Sequence, residues 1–205
     1  MTSIIAWDLD GTIIDTYNLM KETYNSIIAS DFDADLSASP WKNIKSAGLN
    51  PKSTISRFWE KYRQNVPHLA EVYSNIIDVL QRINQKGISQ VIISSLPDKI
   101  VESLLFHTEI TDIFDITIGG SKRELMKPRP SSIEFCLRQL HGTKNRFIMI
   151  GDSDTDQQLA MNAEVHFIAA KWNHRCKLQS HYGCKSPTDI LKIIDGILDS
   201  AVSIG

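Results

Sequence analysis

AWDLDGTIIDT, residues 6–16, sets two carboxylates, Asp8 and Asp10, behind an apolar run and ahead of Gly11 and Thr12. Two readings compete for it. Asp-Gly between apolar residues is a hairpin signal, which makes the stretch a β-turn. Alternatively, a buried strand ends here and runs into a polar loop whose acids are gathered for chemistry. The rest of the chain decides between them.

Short apolar, β-branched runs recur downstream: QVIIS (90–94), DITIG (115–119), RFIMIG (146–151) and VHFIAA (165–170), matching SIIAW (3–7) at the start. Runs that are apolar on both faces fit strands of a parallel sheet covered by helices. Helical patterns lie between them. Ile76, Val79, Leu80 and Ile83 mark a helix over 74–86 with Gly87 as its stop. Pro130 to Ser132 open another that runs through Leu140 and ends near Gly142, and Pro187 to Asp189 start the last, with Ile190, Ile193, Ile194 and Ile197 on one stripe. Strands alternating with helices predict a doubly wound, Rossmann-like parallel α/β sheet.

One interval breaks the alternation. Residues 8–89 separate the first two strands, far more than a βα connection needs. Most of 16–72 reads as helix or loop. Leu19, Met20, Tyr24, Ile27 and Ile28 recur at helical spacing, and so do Ile55, Phe58, Trp59 and Tyr62 after Pro51. This predicts a small α-helical insertion of residues 16–72, a cap on an α/β core of 1–15 and 73–205.

Composition narrows the function classes. The 205 residues are 42% hydrophobic, enough for a full core, and carry 22 basic against 24 acidic residues for a net charge of -2. Such a balance favours neither a nucleic acid nor an anionic membrane as partner. No apolar stretch is long enough to span a bilayer, and the N-terminus lacks the basic start of a signal peptide. Three cysteines, Cys136, Cys176 and Cys184, cannot all pair, so free thiols in a reducing cytoplasm are expected.

In open α/β sheets, ligands bind at the carboxyl ends of the strands. Collecting the residues there gives Asp8-Leu9-Asp10-Gly11-Thr12, then Ser94-Ser95, then Lys127-Pro128 after a loop, and finally Gly151-Asp152-Ser153-Asp154-Thr155-Asp156 running into a helix. In an extended backbone, residues i and i+2 point the same way, so Asp8 and Asp10 can face one site. Carboxylates suit Mg²⁺, which takes oxygen ligands and substrate phosphate. One carboxylate can act as nucleophile and a second as acid and base. A lysine and a serine can hold the phosphate oxygens. The run from Asp152 to Asp156 is not a calcium loop, because Gln157 and Ala163 stand where that loop needs Gly and Glu. It also reads as a helix N-cap cluster.

The ordered set, DxDGT, strand-end serine, Lys-Pro and GDSxxD, resembles the haloacid dehalogenase superfamily over essentially the whole chain, in its phosphoglycolate-phosphatase-like branch with a helical cap. The resemblance implies a five-stranded sheet of order 5-4-1-2-3 and a Mg²⁺-dependent phosphatase acting on a small phosphorylated metabolite. It casts Asp8 as nucleophile and Asp10 as general acid and base. Ser94 and Lys127, with Gly11, Thr12 and Ser95, would bind phosphate. The metal would sit on the Asp8 carboxylate, the Asp10 carbonyl and Asp152, and Asp156 would orient Lys127 or a metal-bound water. An aspartate at position 10 points to phosphate esters, since the dehalogenase and phosphonatase branches lack it. Alternatives are a phosphosugar mutase of the same superfamily and a non-catalytic binding protein that keeps the fold. Two departures stand out: Ser95 where relatives usually carry Asn, and KWNH (171–174) where many carry a glycine.

Other candidates are weaker. His174, Cys176, His181 and Cys184 lack the spacing of a known zinc finger, so their segment reads as a surface loop. Residues 40–66 carry Lys42, Lys45, Lys52, Arg57, Lys61 and Arg63 against Glu60 alone, an excess that could attract an anionic substrate or balance Asp31, Asp33 and Asp35 upstream. Arg57 is the cation singled out for substrate choice. Trp41, Phe58 and Trp59 read as core of the insertion.

Overall fold

The computed structural model describes residues 2–28, 32–36 and 38–202, with the side chain of Val202 left out. The helical insertion's Asp31, named above as a counter-charge, lies outside these residues.

The sheet is built from β1 (Thr2–Trp7), β4 (Ser89–Ile93), β5 (Ile116–Ile118), β6 (Gly142–Gly151), β7 (His166–Ala170) and β8 (Tyr182–Cys184). Every pairing in it is parallel, in the order β5-β4-β1-β6-β7-β8. The first five follow the expected order, and the sheet is larger than expected by one edge strand. That strand, β8, falls in the segment read above as a surface loop. It is only three residues long and contains Gly183, so it shows no apolar run in the sequence.

Alternation along β1 splits the core into two layers. Ile5 and Trp7 face one side and Ile4 and Ala6 the other, all fully buried. On the Ile4 side lie α6 (Ser131–Gln139) and α7 (Asp154–Ala163), which contribute Ile133, Cys136, Leu159 and Ala160. On the Trp7 side lie α4 (Ile76–Gln85), α5 (Asp98–His107) and α8 (Ile190–Val202). The α4 stripe is the one expected: Ile76, Val79, Leu80 and Ile83 are all buried, and Gly87 follows in the left-handed conformation. After α6 it is His141, at φ 53, that takes the left-handed turn, while Gly142 already begins β6. Trp7 donates its indole N–H to Gln90 Oε1 at 3.1 Å, and Gln90 in turn donates to Leu80 O and Asn84 Oδ1. A polar pair is thus satisfied inside the core.

Between β1 and β4 the chain forms α1 (Tyr17–Ile27), α2 (Pro40–Ser46) and α3 (Pro51–Leu69). The rings of Tyr24 and Phe58 lie 4.8 Å apart and join α1 to α3. Phe58 is fully buried and Trp59 packs beside it, as expected, but Trp41 is 46% exposed and contributes no core. The chain leaves and re-enters through a two-residue antiparallel ribbon, β2 (Ile14–Asp15) with β3 (Glu71–Val72). Tyr73 N extends it with a bond to Ile13 O at 3.0 Å.

Candidate active site

The parallel register sets the site. Trp7 is level with Ile92 on one side and Ile150 on the other, and Asp8 N donates to Ile150 O at 2.8 Å. The chain therefore leaves three adjacent strands at one level, carrying Asp8, Ser94 and Asp152 onto the same edge. AWDLDGT is a strand end and not a hairpin. After Asp8 the backbone turns tightly, with Ile13 N and Ile14 N both bonded to Leu9 O at 3.0 Å.

Lys127 is the centre of the cluster. Its buried ammonium lies 2.6 Å from Asp8 Oδ1 and 2.6 Å from Asp156 Oδ1. Carboxylate oxygens of Asp8, Asp152 and Asp156 all lie within 4.8 Å of one another. Asp156 is fully buried and serves two ends at once. Ser153 caps α7 by accepting from Asp156 N, while Asp156 Oδ2 accepts from Ser153 N and Oγ. One side chain thus completes the capping box and holds the Lys127 ammonium. Gly151 makes the approach possible, because a Cβ there would stand 2.4 Å from Asp156 Cγ.

Thr12, fully buried, donates to Asp152 Oδ1 at 3.3 Å. Gly11 has φ +80, and a Cβ on it would fall 2.5 Å from Asp152 Oδ2, so both its conformation and its space demand glycine. Asp10 is half-buried and its carboxylate accepts from the Thr16 hydroxyl. Ser94 is buried, and its hydroxyl accepts from Leu96 N at 3.1 Å. Ser95 is exposed, and its carbonyl lies against Gly120. Arg57 is exposed on α3, off the buried stripe of Phe58, Tyr62 and Val66.

It is Tyr62, fully buried, that α3 turns toward Thr16 and Asp10; burial and the Asp10 charge push its phenol well above 10. Among the described residues, His174, Cys176, His181 and Cys184 form no metal-ligand group. The three thiols are unpaired.

The electrostatics follow from crowding acids in a low-dielectric pocket. Burial, then the Asp156 charge, pushes Asp8 up to about 8 against the opposing pull of Lys127. Burial, then Asp8, pushes Asp10 to about 7. Burial, Asp156 and Asp10 push Asp152 to about 7. Burial alone would lower the Lys127 ammonium, but Asp156 and Asp8 outweigh it and hold it above its ordinary value. Burial is the first cause of the shift for each of the three acids, and a neighbouring carboxylate the second.

Three residues of the site received no role in the sequence reading, although two of them lie in KWNH (171–174), noted there as a departure. The segment after β7 sends Trp172 Nε1 to Thr12 O at 2.9 Å and Asn173 Nδ2 to Asp152 Oδ2 at 2.8 Å. Arg175 reaches Asp15 Oδ1 at 2.6 Å. These residues lie just past a strand's carboxyl end, so the same rule that found the other motifs reaches them; no motif chemistry singles them out.

Fold and site first define a class: a doubly wound α/β protein whose strand-end carboxylates surround one buried lysine. Residues 5–170 match the model of the haloacid dehalogenase-like hydrolases, and the chain belongs to that family. It is 28% identical over 150 residues to a phosphoglycolate phosphatase of Aliivibrio fischeri, a match covering 73% of this chain and 60% of that protein. It is 25% identical to a phosphoglycolate phosphatase of Rhodobacter capsulatus, over 93% of this chain and 90% of that one. The fold is shared with CbbY from Rhodobacter sphaeroides in complex with phosphate, at a TM-score of 0.78 and 19% identity over 93% of this chain and 96% of that one. Among the described residues, no helix is long and apolar enough to cross a membrane.

Proposed function

We propose that the chain is a Mg²⁺-dependent phosphatase for a small phosphorylated metabolite. The observation that carries this reading is the Asp8–Lys127–Asp156 contact at 2.6 Å on each side, with Asp152 in the same cluster. It agrees with the names of the two phosphoglycolate phosphatases and with the phosphate in CbbY.

The donor set fits Mg²⁺. It is all oxygen and carboxylate-rich, with carboxylate oxygens of Asp8, Asp152 and Asp156 within 4.8 Å of one another beside the Lys127 ammonium. Asp8 and Asp152, with the carbonyl of Asp10, would hold the ion. When bound, Mg²⁺ would neutralise phosphate oxygens and polarise the phosphorus toward attack.

In the first step an Asp8 oxygen attacks phosphorus and the ester P–O bond breaks. Asp10 gives its proton to the departing alkoxide, for which a pKa near 7 suits it. In the second step Asp10 takes a proton from water as the water oxygen attacks phosphorus. The Asp8–phosphorus bond then breaks, releasing phosphate. Lys127 and the Ser94 hydroxyl bind the phosphoryl oxygens, and Asp156 keeps Lys127 aimed. Residues 16–72 act as a cap that closes the site to bulk water. Ser95 and Arg57 are exposed and so open to an incoming substrate; in this reading Ser95 helps hold the phosphate and Arg57 bears on substrate choice.

The test is phosphate release from a panel of small phosphate monoesters, with Mg²⁺ and with EDTA, by wild type and Asp8→Asn. Metal-dependent release that Asp8→Asn abolishes supports the mechanism. Undiminished release by Asp8→Asn removes Asp8 from the nucleophile's role. Return of the phosphoryl group to a second sugar hydroxyl, with no phosphate freed, replaces the phosphatase by a mutase.

A further inference from the structure

Asp152 is held from two sides, and the mechanism above uses neither contact. Thr12 donates to its Oδ1 and Asn173 to its Oδ2. Asn173 is 3% exposed and occupies a place for which the ordinary chemistry of the site makes no demand. Its own amide is fixed in turn. Asn173 Oδ1 accepts from Arg175 N at 3.0 Å, which leaves Nδ2 as the end facing Asp152. Arg175 is anchored by its guanidinium, 2.6 Å from Asp15 Oδ1, 3.4 Å from Tyr73 Oη and 4.4 Å over the ring of Tyr17. Trp172 ties the same segment to Thr12 O. A Cβ on Gly11 would also lie 2.9 Å from Asn173 Nδ2, so the amide sits within the closest-packed part of the site.

A side chain with both polar ends committed, one to a carboxylate and one to an anchored backbone, orients that carboxylate more narrowly than solvent could. We propose that Asn173 is a positioning residue that sets the protein's affinity for its divalent metal through Asp152. The proposal rests on the metal reading given above. The amide's donor end restricts the rotation of Asp152 and leaves a lone pair on each oxygen for the ion. Partners of this kind change metal affinity by roughly 10- to 100-fold when removed.

Serine separates this role from a merely structural one. In Asn173→Ser the hydroxyl can still accept from Arg175 N, as short polar side chains do two residues ahead in turns. It is too short to reach Asp152. Asn173→Gly is the companion variant, since glycine removes both contacts and fits any backbone conformation.

The measurement is the Mg²⁺ dissociation constant of the full chain by titration calorimetry, with melting temperature in EDTA as the control for folding. The expected result is a Mg²⁺ affinity weakened about 10- to 100-fold in both variants, with the Asn173→Ser melting temperature in EDTA close to wild type. Wild-type Mg²⁺ affinity in a folded Asn173→Ser or Asn173→Gly overturns the inference while leaving the metal site standing. If wild type itself binds no Mg²⁺, the metal reading and this inference fall together.

Discussion

Replacing Asp156 with alanine tests the idea that this buried carboxylate is as much a structural element as a chemical one. Asp156 is fully buried, pairs with Lys127 at 2.6 Å and closes the capping box of α7 through Ser153. Breaking a buried ion pair by removing one partner costs about 3–5 kcal/mol; Ser153 still accepts from the N of residue 156, so losing the other half of the capping box adds less than the roughly 1 kcal/mol of a whole cap. Part of this is offset. Asp156 is the leading charge that raises both Asp8 and Asp152, so its removal relieves repulsion in the metal-free protein, and Lys127 keeps Asp8. A net loss of about 3–4 kcal/mol is expected, a large share of the roughly 5–15 kcal/mol that holds a domain together. For a chain of this length that lowers the melting temperature by about 6–16 °C. Asp156→Asn keeps an acceptor for Ser153 and most of the volume, so its loss is expected to be smaller. Urea unfolding at neutral pH in EDTA measures both. An alanine variant within about 1 kcal/mol of wild type would refute the reasoning, because the pair and the cap would then carry no weight.

Other outcomes follow from the same geometry. Asp8, Asp10 and Asp152 have folded-state pKa values raised above 3.8, so without metal their contribution to stability is complete below that value and is lost as pH rises toward 7–8. If Mg²⁺ binds as proposed, it competes with those protons, so its stabilisation is expected to grow between about pH 5 and pH 8, read as the melting-temperature gain on adding Mg²⁺ at each pH; an equal gain throughout would count against the raised values. Gly11→Ala is expected to cost at least about 1–2 kcal/mol for its left-handed conformation and to weaken Mg²⁺ binding by displacing Asp152, with calorimetry reporting both. Gln90→Leu is expected to destabilise by about 1–3 kcal/mol in urea, since it orphans the buried Trp7 indole N–H, and Trp7→Phe in the same background should recover part of the loss.

The sequence by itself determined the parallel sheet and most of the side chains gathered at its carboxyl edge. Buried strands must be apolar on both faces, so SIIAW, QVIIS and RFIMIG announce themselves, and acids or lysines at their ends have few reasons to be there. Asp8, Asp10, Lys127 and Asp152 were legible for that reason, together with their resemblance to a known set. The pattern was silent where structure depends on partners rather than on periodicity. β8 is a strand because β7 offers an edge to pair with, not because Tyr182–Cys184 has an apolar run. Periodicity already set Tyr62 on the apolar stripe of α3 and left Arg57 off it, but only tertiary packing brings that stripe against Asp10 and Thr16.

Asn173 shows the limit most clearly. It is one amide in a polar stretch, and its place beside Asp152 arises because β7 lies next to β6 in the sheet and delivers the following segment to the same edge. Local composition fixes what a residue can do. Which residues meet across 21 or 140 positions of chain is decided by strand order and register, and those are properties of the whole fold.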